Sequence, residues 1–220
     1  MKIMKFILIL FLLPGCFKKN NTLPANIKEE IIIPVRVLKY DFVFAPDLSS
    51  AFSPSRTEHY FNEVNLIWKQ AVIKFTVSSF DTIRITDSIF LAHNYTGFTN
   101  KQFREILETL SENHIRTRTM SNQGLWTIVL IGKFPHPAGG VWSNRTEIVF
   151  FAETNNGIST AENIWAHELG HSLSLTHVNA NQFPDNLMKQ GDGNPQTAVK
   201  LTQNQINRAR QHALRYLNAR

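Results

Sequence analysis

The sequence predicts a mixed α/β domain in one piece, of the α+β kind. Three observations point there: β-like apolar runs dominate the first part of the chain, helical stripes are set between and after them, and the composition is that of a globular protein. At 220 residues, with 43% hydrophobic and 18% charged residues and no Gly- or Pro-rich excess, the chain can bury one sizeable core. It contains no internal repeat and no low-complexity block.

The elements follow from periodicity. Val35, Val37, Phe42 and Phe44 alternate as in a strand, which stops at Ala45-Pro46. Pro54-Ser55 opens a helix to about residue 72, where Tyr60, Phe61, Val64, Ile67, Trp68 and Ala71 fall three and four apart and form one buried stripe. Ile73 to Val77 reads as a second strand, and 80–92 is ambiguous, with a short strand at Ile83 to Ile89 as an option. Thr99 caps a helix over Lys101 to Leu110. Leu125 to Ile131 is almost wholly apolar, as a central strand would be. The turn-rich Pro135 to Gly140 leads through Val141-Trp142 to a strand at Glu147 to Phe151. A helix spans about Thr160 to Leu173. After an irregular stretch, a last helix at Thr202 to Leu217 carries Ile206, Ala209, Ala213 and Leu217 on one face.

The N-terminus reads as an export signal. Met1 to Lys5 are basic and Phe6 to Leu13 are apolar, a stretch too short to cross a bilayer as a helix. Leu13-Pro14-Gly15-Cys16 is similar to the bacterial lipobox, which implies cleavage before Cys16 and a lipid on it. The chain then divides into a signal peptide at 1–15, a tether at 16–33 and a folded domain at 34–220, anchored by its lipid in a bacterial cell envelope, with the leaflet left open. Cys16 is the single cysteine, so the domain depends on its core and on any bound metal rather than on disulfides. Lys2 and Lys5 would leave with the signal, and the remaining excess is about four positive charges, scattered along the chain. No basic stripe with interleaved aromatics is present, which argues against nucleic acid. A monomer is expected.

The chemistry concentrates in His167-Glu168-Leu169-Gly170-His171. Two imidazoles four residues apart on a helix share a face and can reach one ion, and zinc favours such nitrogen ligands. Glu168, one residue after the first histidine, can lean over water at the metal without ligating it. His177 follows six residues after His171, and Asn186-Leu187-Met188 lies beyond it. The other histidines (His59, His93, His114, His136 and His212) have no ligand spacing, although His136 lies near the expected cleft. Asp185 and Asp192 do not amount to a calcium site.

The pattern HExxHxxSxxH with a following methionine resembles the metzincin clan of zinc peptidases, and in size and lack of disulfides it resembles the bacterial matrixin type most. The resemblance implies a twisted mixed sheet, an active-site helix, a Met-turn at Met188 and a C-terminal helix. It implies one catalytic Zn2+ on His167, His171 and His177, with Glu168 as general base and then acid on zinc-bound water. Protein or peptide substrates would pair with the edge formed by Ala138, Gly139, Gly140, Val141 and Trp142, and the pocket after the cut would be walled by Lys189 to Asn194. No cysteine switch is expected; Glu29 or Glu30 of the tether could occlude the cleft instead. A different reading is a catalytically silent zinc-bearing lipoprotein that binds a protein or glycan; the intact Glu168 argues for the enzyme.

Ser174 departs from the family, which has glycine there. A non-glycine residue at positive φ costs roughly 1–2 kcal/mol. Three outcomes are open: the strain is absorbed by metal binding, the turn shifts by one residue, or His177 is a poorer ligand.

Overall fold

The computed structural model describes residues 29–86, 99–115, 125–134, 139–155, 158–159, 161–190 and 198–218. The signal-like segment, Cys16, most of the tether, His93, His136, Ala138 and residues 191–194 lie outside the described residues.

Two long strands, β1 (Ile31–Phe42) and β2 (Ile73–Ile85), pair in parallel. β3 (Trp126–Lys133) lies parallel on the other side of β1, and β5 (Ile148–Asn155) lies parallel to β3. β4 (Gly140–Ser143) closes the order β2-β1-β3-β5-β4 as an antiparallel edge, while the two-residue β6 (Ile158–Ser159) pairs with the end of β5. The sheet is therefore mixed, with the antiparallel edge strand β4 beside the region of the histidine motif.

Alternation divides the core in two. Trp126, Ile128 and Leu130 of β3 join Val149 and Phe151 of β5 on one face, packed by helices α1 (Pro54–Trp68), α3 (Glu162–Ser172) and α4 (Gln203–Asn218). Val129, Ile131, Phe150 and Ala152 point the other way onto Phe103, Leu107 and Leu110 of α2 (Asn100–Ile115). Both faces of β3 are thus covered, the reason its run is almost continuously apolar.

Local rules set the helix starts. Ser53 accepts the Arg56 N–H at 3.2 Å with Pro54 in the first turn. Thr99 Oγ1 accepts from Gln102 N–H at 3.3 Å while Gln102 Oε1 accepts from Thr99 N–H at 3.0 Å, a reciprocal capping box.

Some boundaries differ from expectation. β1 starts at Ile31, not Val35, with Ile31 and Ile33 buried, so residues 31–33 belong to the sheet and not to the tether. The first helix ends at Trp68 and tightens into a 3-10 turn at Lys69–Ala71, because Val72 takes the left-handed conformation (φ 53°) that redirects the chain into β2. The expected short strands at 73–77 and near 83 are one strand; the polar Ser78, Ser79 and Asp81 interrupt its apolar alternation and so hide it. A bulge at this point is held by Ser78 Oγ, which donates to Val35 O at 2.9 Å.

Candidate metal centre

Helix α3 carries the motif, and its inner face fixes its position. Trp165 stacks on Phe151 of β5 at 4.2 Å and an interplanar angle of 2°, and packs on Tyr60 of α1 at 4.8 Å. Trp126 Nε1–H donates to Ser172 Oγ at 3.0 Å, and Trp68 Nε1–H to Ala166 O at 3.3 Å. With Trp165, Ala166, Leu169 and Leu173 buried, His167 and His171 are left on the cleft side, four residues apart.

The helix ends at Ser172 with Leu173 as its C-cap, and the chain reverses through Ser174 at φ 66°. Ser174 N–H donates to His171 O and Leu175 N–H to Gly170 O, each at 2.9 Å, the paired bonds of a Schellman turn. The turn therefore stands at Ser174 itself, unshifted, with serine in the position that favours glycine. It returns the chain so that His177 faces the other two histidines.

The three Nε2 atoms form a nearly equilateral triangle: His167–His177 3.2 Å, His167–His171 3.1 Å and His171–His177 3.1 Å. Four tetrahedral ligands at zinc–nitrogen distances of 2.0–2.1 Å stand roughly 3.3 Å apart, so the spacing fits. Hydrogen bonding supports the same conclusion. His167 Nδ1–H donates to Leu187 O at 2.6 Å and His171 Nδ1–H to Leu175 O at 2.9 Å. A carbonyl can only accept, so in both neutral rings the proton lies on Nδ1 and Nε2 presents a lone pair. Facing lone pairs at 3.1 Å call for a cation between them, and these three histidines could hold a metal ion.

Electrostatics keep the rings in the ligating form. Burial holds His167 down at about 4, against the opposing Leu187 carbonyl, and burial likewise lowers His171. His177 is exposed, and among the described residues no hydrogen bond orients its Nδ1. Glu168 shows the opposite shift: burial pushes its carboxyl up to about 7, against the Trp142 N–H, which donates to Oε2 at 3.0 Å. Gly140 makes this approach possible, since a Cβ there would stand 2.7 Å from Glu168 Cγ.

Beneath the histidines, Met188 is fully buried with its sulfur against Gly170. Asn186 Oδ1 accepts the Met188 N–H at 2.9 Å, and Asn186 and Gln205 of α4 exchange two side-chain bonds at 2.8 and 3.1 Å. Val178 N–H donates to Met188 O at 2.8 Å, so the segment bearing His177 is tied to the turn beneath it.

The structure thus brings His167, His171, His177, Glu168, Met188, Gly140, Val141 and Trp142 to one place; Gly139 borders it, its carbonyl accepting from Ala152 N–H at 3.0 Å. It does not bring Glu29 or Glu30 there. The Glu29 carbonyl is held by Arg210 at 3.0 Å, at the start of β1, three strand positions or roughly 14 Å from β4. Lys189 and Gln190 turn back on Val178. Sequence reasoning missed the carbonyls of Leu175 and Leu187, which have no side-chain signature. It also missed Arg208 and His212, which enter the cleft through the docking of α4. Asn186 was findable, as a residue of the type that bonds its own backbone two residues on.

No family model and no curated protein matches the chain. Among solved structures, one described as a chaperone–substrate complex aligns at TM-score 0.54 and 15% identity, covering 86% of this chain and 36% of its own. Metalloproteinase-II from Bacteroides fragilis aligns at TM-score 0.47 and 14% identity, covering 86% and 55%. A zinc-dependent peptidase from Methanocorpusculum labreanum aligns at TM-score 0.36 and 11% identity, covering 81% and 99%. The chain spans about a third of the length of the first structure and about half that of the second. At such identities the first alignment speaks for a shared fold, and the two looser ones carry no weight. The chain is a mixed α/β domain in which three convergent imidazoles could hold a metal ion.

Proposed function

We propose that the protein is a zinc-dependent endopeptidase of the metzincin type. One observation carries the reading: three imidazole nitrogens in a triangle of 3.1–3.2 Å, two with their tautomer set by carbonyls, beside the half-buried Glu168 carboxyl under the edge strand β4. His167, His171 and His177 would hold the ion. Bound there, zinc supplies a Lewis acid for the scissile carbonyl and lowers the pKa of water.

The chain's own residues do the rest. Glu168 takes a proton from the attacking water and returns it to the departing amine, a role suited to a carboxyl whose proton affinity burial has raised toward neutrality. The Trp142 N–H holds Oε2, so one carboxylate oxygen is anchored and the other is free to work. Among the described residues β4 is paired on one side only, so an extended substrate can add along its other edge. Met188 forms an apolar floor behind the ligands, as the methionine of a Met-turn does.

The same reading takes Cys16 as the lipid attachment point and the segment before Ile31 as the tether. No described helix is long and apolar enough to cross a membrane. The test is the full chain beside Glu168→Ala. Both should bind one zinc, and only the unaltered chain should cleave an unfolded protein. Cleavage that survives in Glu168→Ala, or an unaltered chain that binds zinc and cuts nothing, would remove this reading.

A further inference from the structure

The cleft does not end at the histidines. A hollow of about 540 Å³ contains Glu168, His171 and His177 together with Arg208 and His212. A second, of about 500 Å³, shares Ser174, Arg208 and His212 with it and continues to Arg215. Arg208, His212 and Arg215 stand four and three residues apart, on a single face of α4. Arg208 Nη2 donates to Ser174 Oγ at 3.2 Å, which fixes its guanidinium at the rim, three residues from His177.

These cations are free in a way that four other arginines of the chain are not. Arg36, Arg56, Arg104 and Arg145 each have a carboxylate partner within 4.0 Å. Arg208 and Arg215 are exposed, and neither has such a partner among the described residues. His212, half-buried between them, senses both. Burial lowers its proton affinity first, Glu147 works against that, and Arg215 and Arg208 reinforce it. Glu147 is thus an acidic group acting on His212, and Glu168 is a second carboxyl in the same hollow as Arg208.

We propose that this basic extension of the cleft holds an acidic stretch of the polypeptide substrate, so that Asp- or Glu-rich sequence on one side of the cut selects what is cleaved. It rests on the peptidase reading of the adjoining site. One exposed ion pair changes affinity only a few-fold. Two arginines on one wall, facing several carboxylates in a partly enclosed cleft, should give about tenfold at low salt.

The test uses the full chain with E168Q, loaded with zinc, so that binding is read without cutting. Two fluorescent decapeptides that differ only in three Glu or three Gln residues are titrated by anisotropy at low and high sodium chloride. The Glu peptide should bind about tenfold tighter at 0.05 M and lose that advantage at about 0.5 M, where charges are screened beyond a few ångströms. R208Q/R215Q in the same background should abolish the difference. Equal affinity for the two peptides at low salt overturns the proposal, and so does a preference that survives R208Q/R215Q or high salt. Hydrolysis by the chain with Glu168 intact is read separately: selective binding without hydrolysis would count against the peptidase and for the acidic cleft.

Discussion

Replacing Gly170 by alanine sets a methyl group against the Met188 sulfur, with Met188 Cε at 3.2 Å and Trp68 Cζ2 at 3.6 Å. Met188 and Trp68 are both fully buried, so neither can swing into solvent, and the methionine turn must yield. Overpacking of this kind costs about 1–3 kcal/mol. The gain in helix propensity from glycine to alanine offsets about 1 kcal/mol, which leaves a net loss of up to about 2 kcal/mol. The turn that yields also carries the Leu187 carbonyl on His167 Nδ1, so zinc affinity should fall about tenfold, as when a ligand loses its supporting hydrogen bond. Urea unfolding of the metal-free chain and a competitive zinc titration read the two effects. A double-mutant cycle sharpens the test. Met188→Ala alone should cost about 2–5 kcal/mol, but together with Gly170→Ala the new methyl enters the space vacated, and the two should couple favourably by about 1–2 kcal/mol. If Gly170→Ala is stabilising, as at an open helix site, or if the two costs simply add, the packing described beneath the histidines is wrong.

Further outcomes follow from the same geometry. In the metal-free chain, Glu168→Gln should be more stable than the unaltered protein at pH 8 and about equal to it at pH 4. The Glu168 carboxyl is raised from 4.5 to about 7 in the folded state, so the unfolded chain releases a proton the folded chain keeps, and stability is lost as pH rises through that window. Because Glu168 is only partly shielded in the cleft, the gap should be about 1–3 kcal/mol, read by urea unfolding at several pH values; a gap that does not vary with pH would contradict it. At Ser174, φ 66° predicts that glycine is neutral or stabilises by up to about 1 kcal/mol, and that valine destabilises by about 2 kcal/mol, both read from thermal unfolding. Gly140→Ala presses on Glu168 Cγ and Phe151, so it should lower kcat/KM at least about tenfold while leaving one zinc per chain; unchanged turnover would show that β4 is not set against the carboxyl.

The motif helix was legible because its two signals agree. The spacing of four places the histidines on one face, while Trp165, Leu169 and Leu173 mark the opposite face as buried. The central strand was legible for a related reason, its near-continuous apolar run. Ser174 was recognised as the position of strain, and the structure shows that the turn is made there without a shift. The full length of β2 was hidden because an exposed edge strand has no need of alternation, and polar Ser78, Ser79 and Asp81 interrupt it. The carbonyls that orient His167 and His171 belong to Leu187 and Leu175, whose side chains say nothing about where their backbone points. Arg208 and His212 reach the site only because Ile206, Ala209 and Ala213 dock α4 against the sheet, a tertiary consequence with no local signature.

The most direct test of the central claim is to strip the full chain of metal and return zinc stepwise while following hydrolysis of an unfolded protein. The account predicts no activity without metal and a rate that rises in proportion to bound zinc, reaching its plateau at one ion per chain. Hydrolysis that persists without metal, or a chain saturated with zinc that hydrolyses nothing, would contradict it.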